Sequence, residues 1–510
     1  MQININDKEL MLFKNGASKK ISEWMEEEIV VPDSKPDVMQ IISVNVTPYV
    51  LNEEVSDGKI KIDGKLNYFI IYKVSDDTFN ARGIFVSHPF SKTFNVDGIS
   101  KEAEVSVTPI IQNIISQLPN ERKIVVKSEV AFLINTKEFS KVRLINDFIS
   151  EKNIEKRIVK DTFSNVKVCK KSIIAAREDI LLDKNCDDLF EILKIDATID
   201  DTEIKESFNK IMIKGDIILK ITYLTENKAE CIKNTTVKVP FTGMVELDGI
   251  SDNSKFDISY IIKDLDVSLN NDITTTKAIS VSYKIETFII MYEKEDVEYV
   301  DDFYSQYEDL VYESKEENVI KDIKTYSFTT EIKEFATGVF NNQKLVDNFV
   351  DLNSINFEIL DDTVKLNGNI KVSILNQNLD TNDLEYKNLE VLVDKECGCD
   401  GIKKEFRNDL KISALNVKII QNEENLEISI TLKIDVKSGI NGNIRTIENL
   451  DTKEIDDLKL DSMNIYIVKK DDDLWKVAKK YKTSVENITK INEELRDDNL
   501  NVGQKILIIR

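Results

Sequence analysis

The stretch Ile60-Lys-Ile-Asp-Gly64-Lys-Leu-Asn-Tyr68-Phe-Ile-Ile-Tyr72 decides the fold. Ile60, Ile62, Gly64, Leu66, Tyr68, Ile70 and Tyr72 alternate with Lys61, Asp63, Lys65, Asn67, Phe69 and Ile71. Period two over this length marks a strand with one buried face. The stretch also returns. A constant offset of 151 carries Gly64 to Gly215, Tyr72 to Tyr223, Asp37 to Asp188 and Ile41 to Ile192. The same offset carries Pro89-Phe90 to Pro240-Phe241 and Asp97-Gly98-Ile99-Ser100 to Asp248-Gly249-Ile250-Ser251. One register through several motifs identifies an internal repeat. A weaker third copy surrounds Gly368, from Val364 to Leu375, with Leu392-Val-Asp394 standing in the place of the Asp-Gly motif.

Each copy closes on a second alternating run: Ile124 to Ile134, Val281 to Met291 and Leu426 to Val436. The glycine inside each first strand predicts a bulge or a bend. These patterns predict a mainly β chain with three tandem antiparallel, sandwich-like domains. The expected ranges are 1–150, 160–295 and 326–447. Between the last two, residues 296–325 read as an acidic, tyrosine-rich linker. Without Gly or Pro, it is expected to lie on a neighbour as a helix or strand. Glu448 to Ser462 is a second acidic joint, and Ile21 to Ile29 reads as a short amphipathic helix.

Residues 464–510 read differently. Ile465 and Ile467 alternate as a short strand does. Leu474, Val477, Ala478 and Tyr481 fall on one face of a helix, and Val485, Ile488, Ile491 and Leu495 on one face of another. Thr483 and Glu486 are spaced as a capping box, and Ile506 and Ile508 suit a closing strand.

Composition narrows the function. The 510 residues carry 69 Lys and Arg against 92 Asp and Glu, a net charge of −23. That charge disfavours nucleic acid, whose phosphates would be repelled, and anionic lipid. From Asn464 onward ten basic residues outnumber eight acidic ones, so the acid lies in the β domains. The N-terminus lacks the pattern of a secretion signal, and no apolar run has transmembrane length. Five cysteines, an odd number in so long a chain, suggest reduced thiols and a cytoplasmic setting.

No catalytic grouping is visible. His88 is the single histidine and reads as a loop or strand-end side chain. Cys397-Gly398-Cys399 fits no zinc spacing and reads as a turn. Phosphate-loop and dinucleotide-binding glycine motifs are missing. The sequence therefore predicts no catalytic residue, no cofactor and no metal.

Two resemblances sharpen this reading. Residues 464–510, with Asp472-Asp473-Leu474-Trp475, Ile491-Asn492 and Leu500-Asn501-Val502-Gly503-Gln504, resemble a LysM domain, a small βααβ module. The repeats, through Pro36-Asp37, Ile41-Ile42, the Gly64 to Tyr72 strand and their counterparts, resemble the SPOCS (DUF3794) domain of spore coat proteins. Together they imply a non-enzymatic scaffold in spore coat and cortex assembly, in the mother-cell cytoplasm at the forespore surface. Its implied partner is SpoIVA, the ATPase of the coat basement layer, held through the LysM module. Other coat proteins are a further expectation for the β domains. Peptidoglycan, through N-acetylglucosamine, is the alternative ligand. The LysM resemblance implies a binding groove at Asp472, Asp473, Leu474, Asn492, Leu495, Asn499 and Leu500. Asp471 stands where that family usually has glycine, and Arg510 near its usual terminal proline. Three consecutive carboxylates at the rim favour a basic protein over a neutral sugar. Trp475 reads as core rather than as a sugar platform.

Overall fold

Period-two patterning becomes strand over most of the chain. A computed structural model describes residues 4–14, 16, 18–74, 81–101, 103–149, 154–183, 186–225, 232–269, 277–337, 342–381, 383–422, 425–454, 463–495 and 500–509. The first domain comprises β1 (Asn4–Lys14), β2 (Ser18–Val30), β3 (Gln40–Ser56), β4 (Lys59–Lys73), β5 (Ala81–Asn95), β6 (Glu104–Asn120) and β7 (Lys123–Ile149). The second comprises β8 (Ile154–Leu181), β9 (Leu189–Ser207), β10 (Lys210–Thr225), β11 (Ile232–Glu246), β12 (Ser254–Leu269) and β13 (Ala278–Ser305). The third comprises β14 (Glu308–Thr337), β15 (Gln343–Asp351), β16 (Ile355–Leu360), β17 (Thr363–Asn378), β18 (Leu384–Gly398), β19 (Arg407–Gln421) and β20 (Asn425–Glu454).

All three share one topology. One antiparallel sheet runs β3-β4-β5, repeated as β9-β10-β11 and as β15 and β16 beside β17 and β18. The facing sheet centres on β7, β13 or β20, flanked by β2 and β6, β8 and β12, or β14 and β19. Alternate residues of the two sheets fill each core. In the first domain these include Ile60, Ile62, Tyr68 and Ile70 against Ile124, Val126, Phe132 and Ile134. The repeated glycine sits where Gly64 pairs with Phe90 and Gly215 with Phe241. There the phenylalanine ring covers the strand that lacks a side chain. The neighbouring strands β3 and β9 shift register beside it. Pro89 and Pro240 lie on the outer strands β5 and β11, where a missing N–H costs no ladder bond.

The central strands outrun their sandwiches. The far half of β7 pairs with β1, that of β13 with the start of β8, and that of β20 with the start of β14. These three ribbons pack on one another through Leu10, Leu12, Val142, Phe163, Tyr299 and Ile444. At a separate junction the three domains meet through Ile71, Ala81, Leu193, Ile232, Val346 and Leu375. Beside it Asp347 is buried among cations. Its carboxylate lies 2.5 Å from Lys220 Nζ and 3.5 Å from Lys194 Nζ, and accepts from Thr222 Oγ1 at 3.0 Å.

Several expectations need correction. Residues 21–29 are strand, not helix: Ile21, Met25 and Ile29 point inward with period two and leave Trp24 exposed. For the acidic stretch 296–325, expected as helix or strand on a neighbour, the strand alternative holds: it supplies the end of β13 and the start of β14 on either side of a bend at Gln306 and Tyr307. Of the joint Glu448–Ser462, residues 448–454 continue β20, and 455–462 lie outside the described residues. His88 lies within β5, half-buried, with Nδ1 3.2 Å from Glu27.

The third copy keeps its Asp-Gly motif, but at Asp400-Gly401 and not at Leu392-Val-Asp394. Gly401 takes φ +83°, as Gly98 takes +82° and Gly249 +80°. The Cys399 N–H donates to Asp362 O as that of Val96 donates to Gly58 O. Cys397 is therefore in strand, two residues from Cys399 on the same inward face, and the turn follows them. Both thiols are free and buried, and burial raises the pKa of Cys399. A soluble thiol reagent is expected to spare both in the native chain and to label them after denaturation. Prompt native labelling of either would contradict this placement.

Candidate functional site

The C-terminal module is assembled from β21 (Met463–Ile467), α1 (Leu474–Tyr481), α2 (Val485–Ile491) and β22 (Lys505–Ile509). The two strands pair antiparallel, with Tyr466 opposite Ile506. Tyr466, Val468, Leu474, Val477, Ala478, Ile488, Leu495, Ile506 and Ile508 form its core. Inside and outside are reversed on the first strand relative to the sequence reading. Tyr466 and Val468 point inward, while Ile465 and Ile467 are 68% and 54% exposed.

Asp471 holds φ +69°, the left-handed turn for which glycine is usual. Asp473 caps α1 by accepting from Lys476 N at 2.6 Å. The cap of α2 is Ser484, accepting from Asn487 N at 3.0 Å, rather than Thr483. Lys482 closes α1 with φ +54°, and Thr483 is drawn inside, its N–H donating to Ala478 O.

The groove positions divide. Asp472 accepts from Tyr466 Oη at 2.7 Å and from Lys469 N at 2.8 Å. The tyrosine hydroxyl and that N–H lower the Asp472 pKa; the same bond, with burial, pushes Tyr466 up to about 12. Leu474 and Leu495 are buried in the module core, and Leu500 packs against it half-buried. The Asn492 amide donates to Ile488 O and Leu507 O, and its oxygen accepts from Leu507 N at 2.8 Å, tying α2 to β22. Asn499 lies outside the described residues. Asp472, Asp473 and Asn492 thus spend much of their hydrogen-bonding capacity within the module.

Two surfaces were not read from the sequence. One is the outer face of the β21–β22 pair, where Met463, Ile465 and Ile467 are exposed beside Ile509, with Val502 exposed on the turn before β22. The other is a seat on the second domain. Trp475 Nε1 donates to Asp302 Oδ2 at 2.8 Å, and Lys479 Nζ lies 2.5 Å from Asp302 Oδ1. The Tyr304 hydroxyl donates to Thr483 O at 2.7 Å, and its ring meets Trp475 edge-on at 5.0 Å. Lys482 reaches past that seat to the third domain, pairing with Asp309 at the start of β14 at 2.8 Å. Burial would raise the pKa of Asp302, but Lys479 and the Trp475 N–H hold it below the ordinary value. Trp475 is thus neither a wholly internal side chain nor an exposed platform. It joins the module to the tip of the second ribbon.

Elsewhere, the described residues include no group of three or more His, Cys, Asp or Glu that could hold a metal. No helix among them is long and apolar enough to cross a membrane. Residues 466–508 match the LysM domain. Residues 37–118 and 188–270 match the SipL SPOCS domain. No curated protein and no solved structure matches the chain. The molecule is a repeat-built protein of binding and adaptor domains. Two of its segments match the SipL SPOCS domain and one matches LysM, which supports a sporulation-related scaffold or adaptor role. The third sandwich shares their topology outside the matched ranges.

Proposed function

We propose that this chain is a non-enzymatic adaptor in spore coat and cortex assembly that docks on SpoIVA through its LysM module. It would act on the mother-cell side of the forespore surface, with the β domains as a spacer open to other coat proteins. The observation that carries this reading is the outer face of β21 and β22. Three large apolar side chains of one strand, Met463, Ile465 and Ile467, are more than half exposed on a module already seated by its helices. An apolar face of this kind suits a protein partner. An N-acetylglucosamine polymer would instead use the groove, whose Asp472 and Asn492 side chains are engaged internally.

Ile465→Glu combined with Ile467→Glu is expected to leave the fold intact and to weaken SpoIVA binding about 100-fold, the loss of two modest hot spots. Trp475→Glu should act less directly, by freeing the module from Asp302. Leu474→Glu is a poor probe because Leu474 is internal. Affinity measured by interferometry, with circular dichroism as the folding control, decides this. Unchanged affinity in the folded double variant contradicts the reading. Strong retention on insoluble peptidoglycan, lost on deleting residues 464–510, would favour the sugar.

A further inference from the structure

Where the first and third domains meet against the second, four cations converge in a chain whose net charge is strongly negative. Lys14 of β1, Lys137 of β7, Arg407 of β19 and Lys437 of β20 line one pocket of about 70 Å³. It shares Asp409 and Lys437 with a wider groove of about 440 Å³. The smaller pocket also holds two carboxylates, Glu138 and Asp409.

Some of that charge is engaged. Lys437 pairs with Asp257 of the second domain, and Lys14 lies 3.6 Å from Glu317. Arg407 Nη2 donates to Gly16 O at 3.4 Å. Lys137 differs. Among the described residues no carboxylate lies within ion-pair distance of its ammonium, which sits 4.1 Å from the centre of the Phe288 ring. Burial, and the like charge of Lys437, lower its pKa despite Asp257 and Asp409 nearby. A half-buried ammonium with a ring but no counter-ion is electrostatically incomplete.

We propose that this pocket is an anion site, taking the phosphate of a small phosphate monoester between Lys137, Lys437, Arg407 and Lys14. Such a group, which carries about −1.5 to −2 at neutral pH, would supply the counter-ion that Lys137 lacks. The wider groove receives the rest of the molecule. Its walls include Tyr326, Leu410 and Val436, and its carboxylates Asp257 and Asp435 can accept hydrogen bonds from hydroxyl or amino groups. Because the cations come from two domains and Asp257 from the other, the ligand also clasps the three sandwiches together. This site is independent of the LysM module and stands whether or not the docking on SpoIVA does.

Calorimetry on the full chain at constant ionic strength tests the proposal, with inorganic phosphate and glycerol 3-phosphate as titrants. Both should bind saturably, the monoester more tightly. Lys137→Met should cut both affinities at least about tenfold, the worth of one charge-assisted hydrogen bond. Lys437→Gln provides a second variant should the first not fold, and it should likewise weaken both. Lys92→Gln, far from the pocket, should bind as the parent does. Equal affinity for the two titrants would assign the site to the free anion and overturn the monoester reading. Absence of saturable binding, or full affinity in a folded pocket variant, would overturn the site itself.

Discussion

Asp347→Ala is expected to destabilise the chain by about 3–5 kcal/mol, the usual effect of removing one partner from a buried ion pair. Asp347 is 4% exposed and Lys194 is 4% exposed, so Lys194 cannot simply turn to solvent. Lys194 would keep Asp196 at 2.6 Å, but Lys220 would lose its 2.5 Å contact and Thr222 its acceptor. The effect carries a pH signature. Burial alone would raise the Asp347 pKa, but Lys194 and Lys220 outweigh it and hold the carboxyl below its ordinary value. A depressed carboxylate contributes stability that is present above its unfolded pKa of about 3.9 and lost as pH falls through the folded one. Acid should therefore narrow the gap between parent and Asp347→Ala. Urea midpoints at pH 7 and pH 3 check this, and a gap of equal size at both would refute the charge argument.

Gly64→Val and Gly215→Val should each cost about 3 kcal/mol, at the upper end of overpacking penalties. A Cβ at Gly64 would fall 2.3 Å from Tyr49 O and 2.5 Å from the Phe90 ring; at Gly215 it would fall 2.7 Å from the Phe241 ring. The ring could move only by leaving the core, and the Tyr49 carbonyl belongs to a neighbouring strand. Gly398→Ala is the control, because no atom lies within 4 Å of its Cβ and its φ is unremarkable. It should stay within about 0.5 kcal/mol of the parent. Thermal denaturation of the three variants separates the cases. Parent-like stability in Gly64→Val would mean that the glycine is not needed for packing.

The repeated strand was legible because both of its signals are local. Period two from Ile60 to Tyr72 and a glycine paired with a phenylalanine survive in any single copy. The Asp-Gly motif of the third copy is masked because Cys397-Gly398-Cys399 reads as a cysteine pair at a turn. Cys399-Asp400-Gly401-Ile402 reads directly against Val96-Asp97-Gly98-Ile99. The ribbons were not legible. Glu293 to Lys321 looks like a linker because its many charges face solvent along arms that are only two strands wide. Its inward residues, Val297, Tyr299, Phe303 and Val319, are too sparse to announce a core by themselves. Trp24 and Met25 suggested a helix, although alternation from Ile21 to Ile29 was present. In the C-terminal module the elements and most core positions were legible, while the sidedness of Ile465 and Ile467 was not. That depends on which face of β21 meets α1, a contact set by Tyr466 and Val468.

The LysM module hangs from the far end of β20, whose length is zipped antiparallel to β14 from Glu308↔Glu454 to Thr337↔Asn425. Tension between the module and the second domain would enter the ladder at its Glu308↔Glu454 end and open it bond by bond from there. The contacts of Trp475 and Tyr304 with the second ribbon would give way first, letting the module swing into line with the pull. The seat of Trp475 and Tyr304 at that end therefore shields the ladder from such a load for as long as it holds.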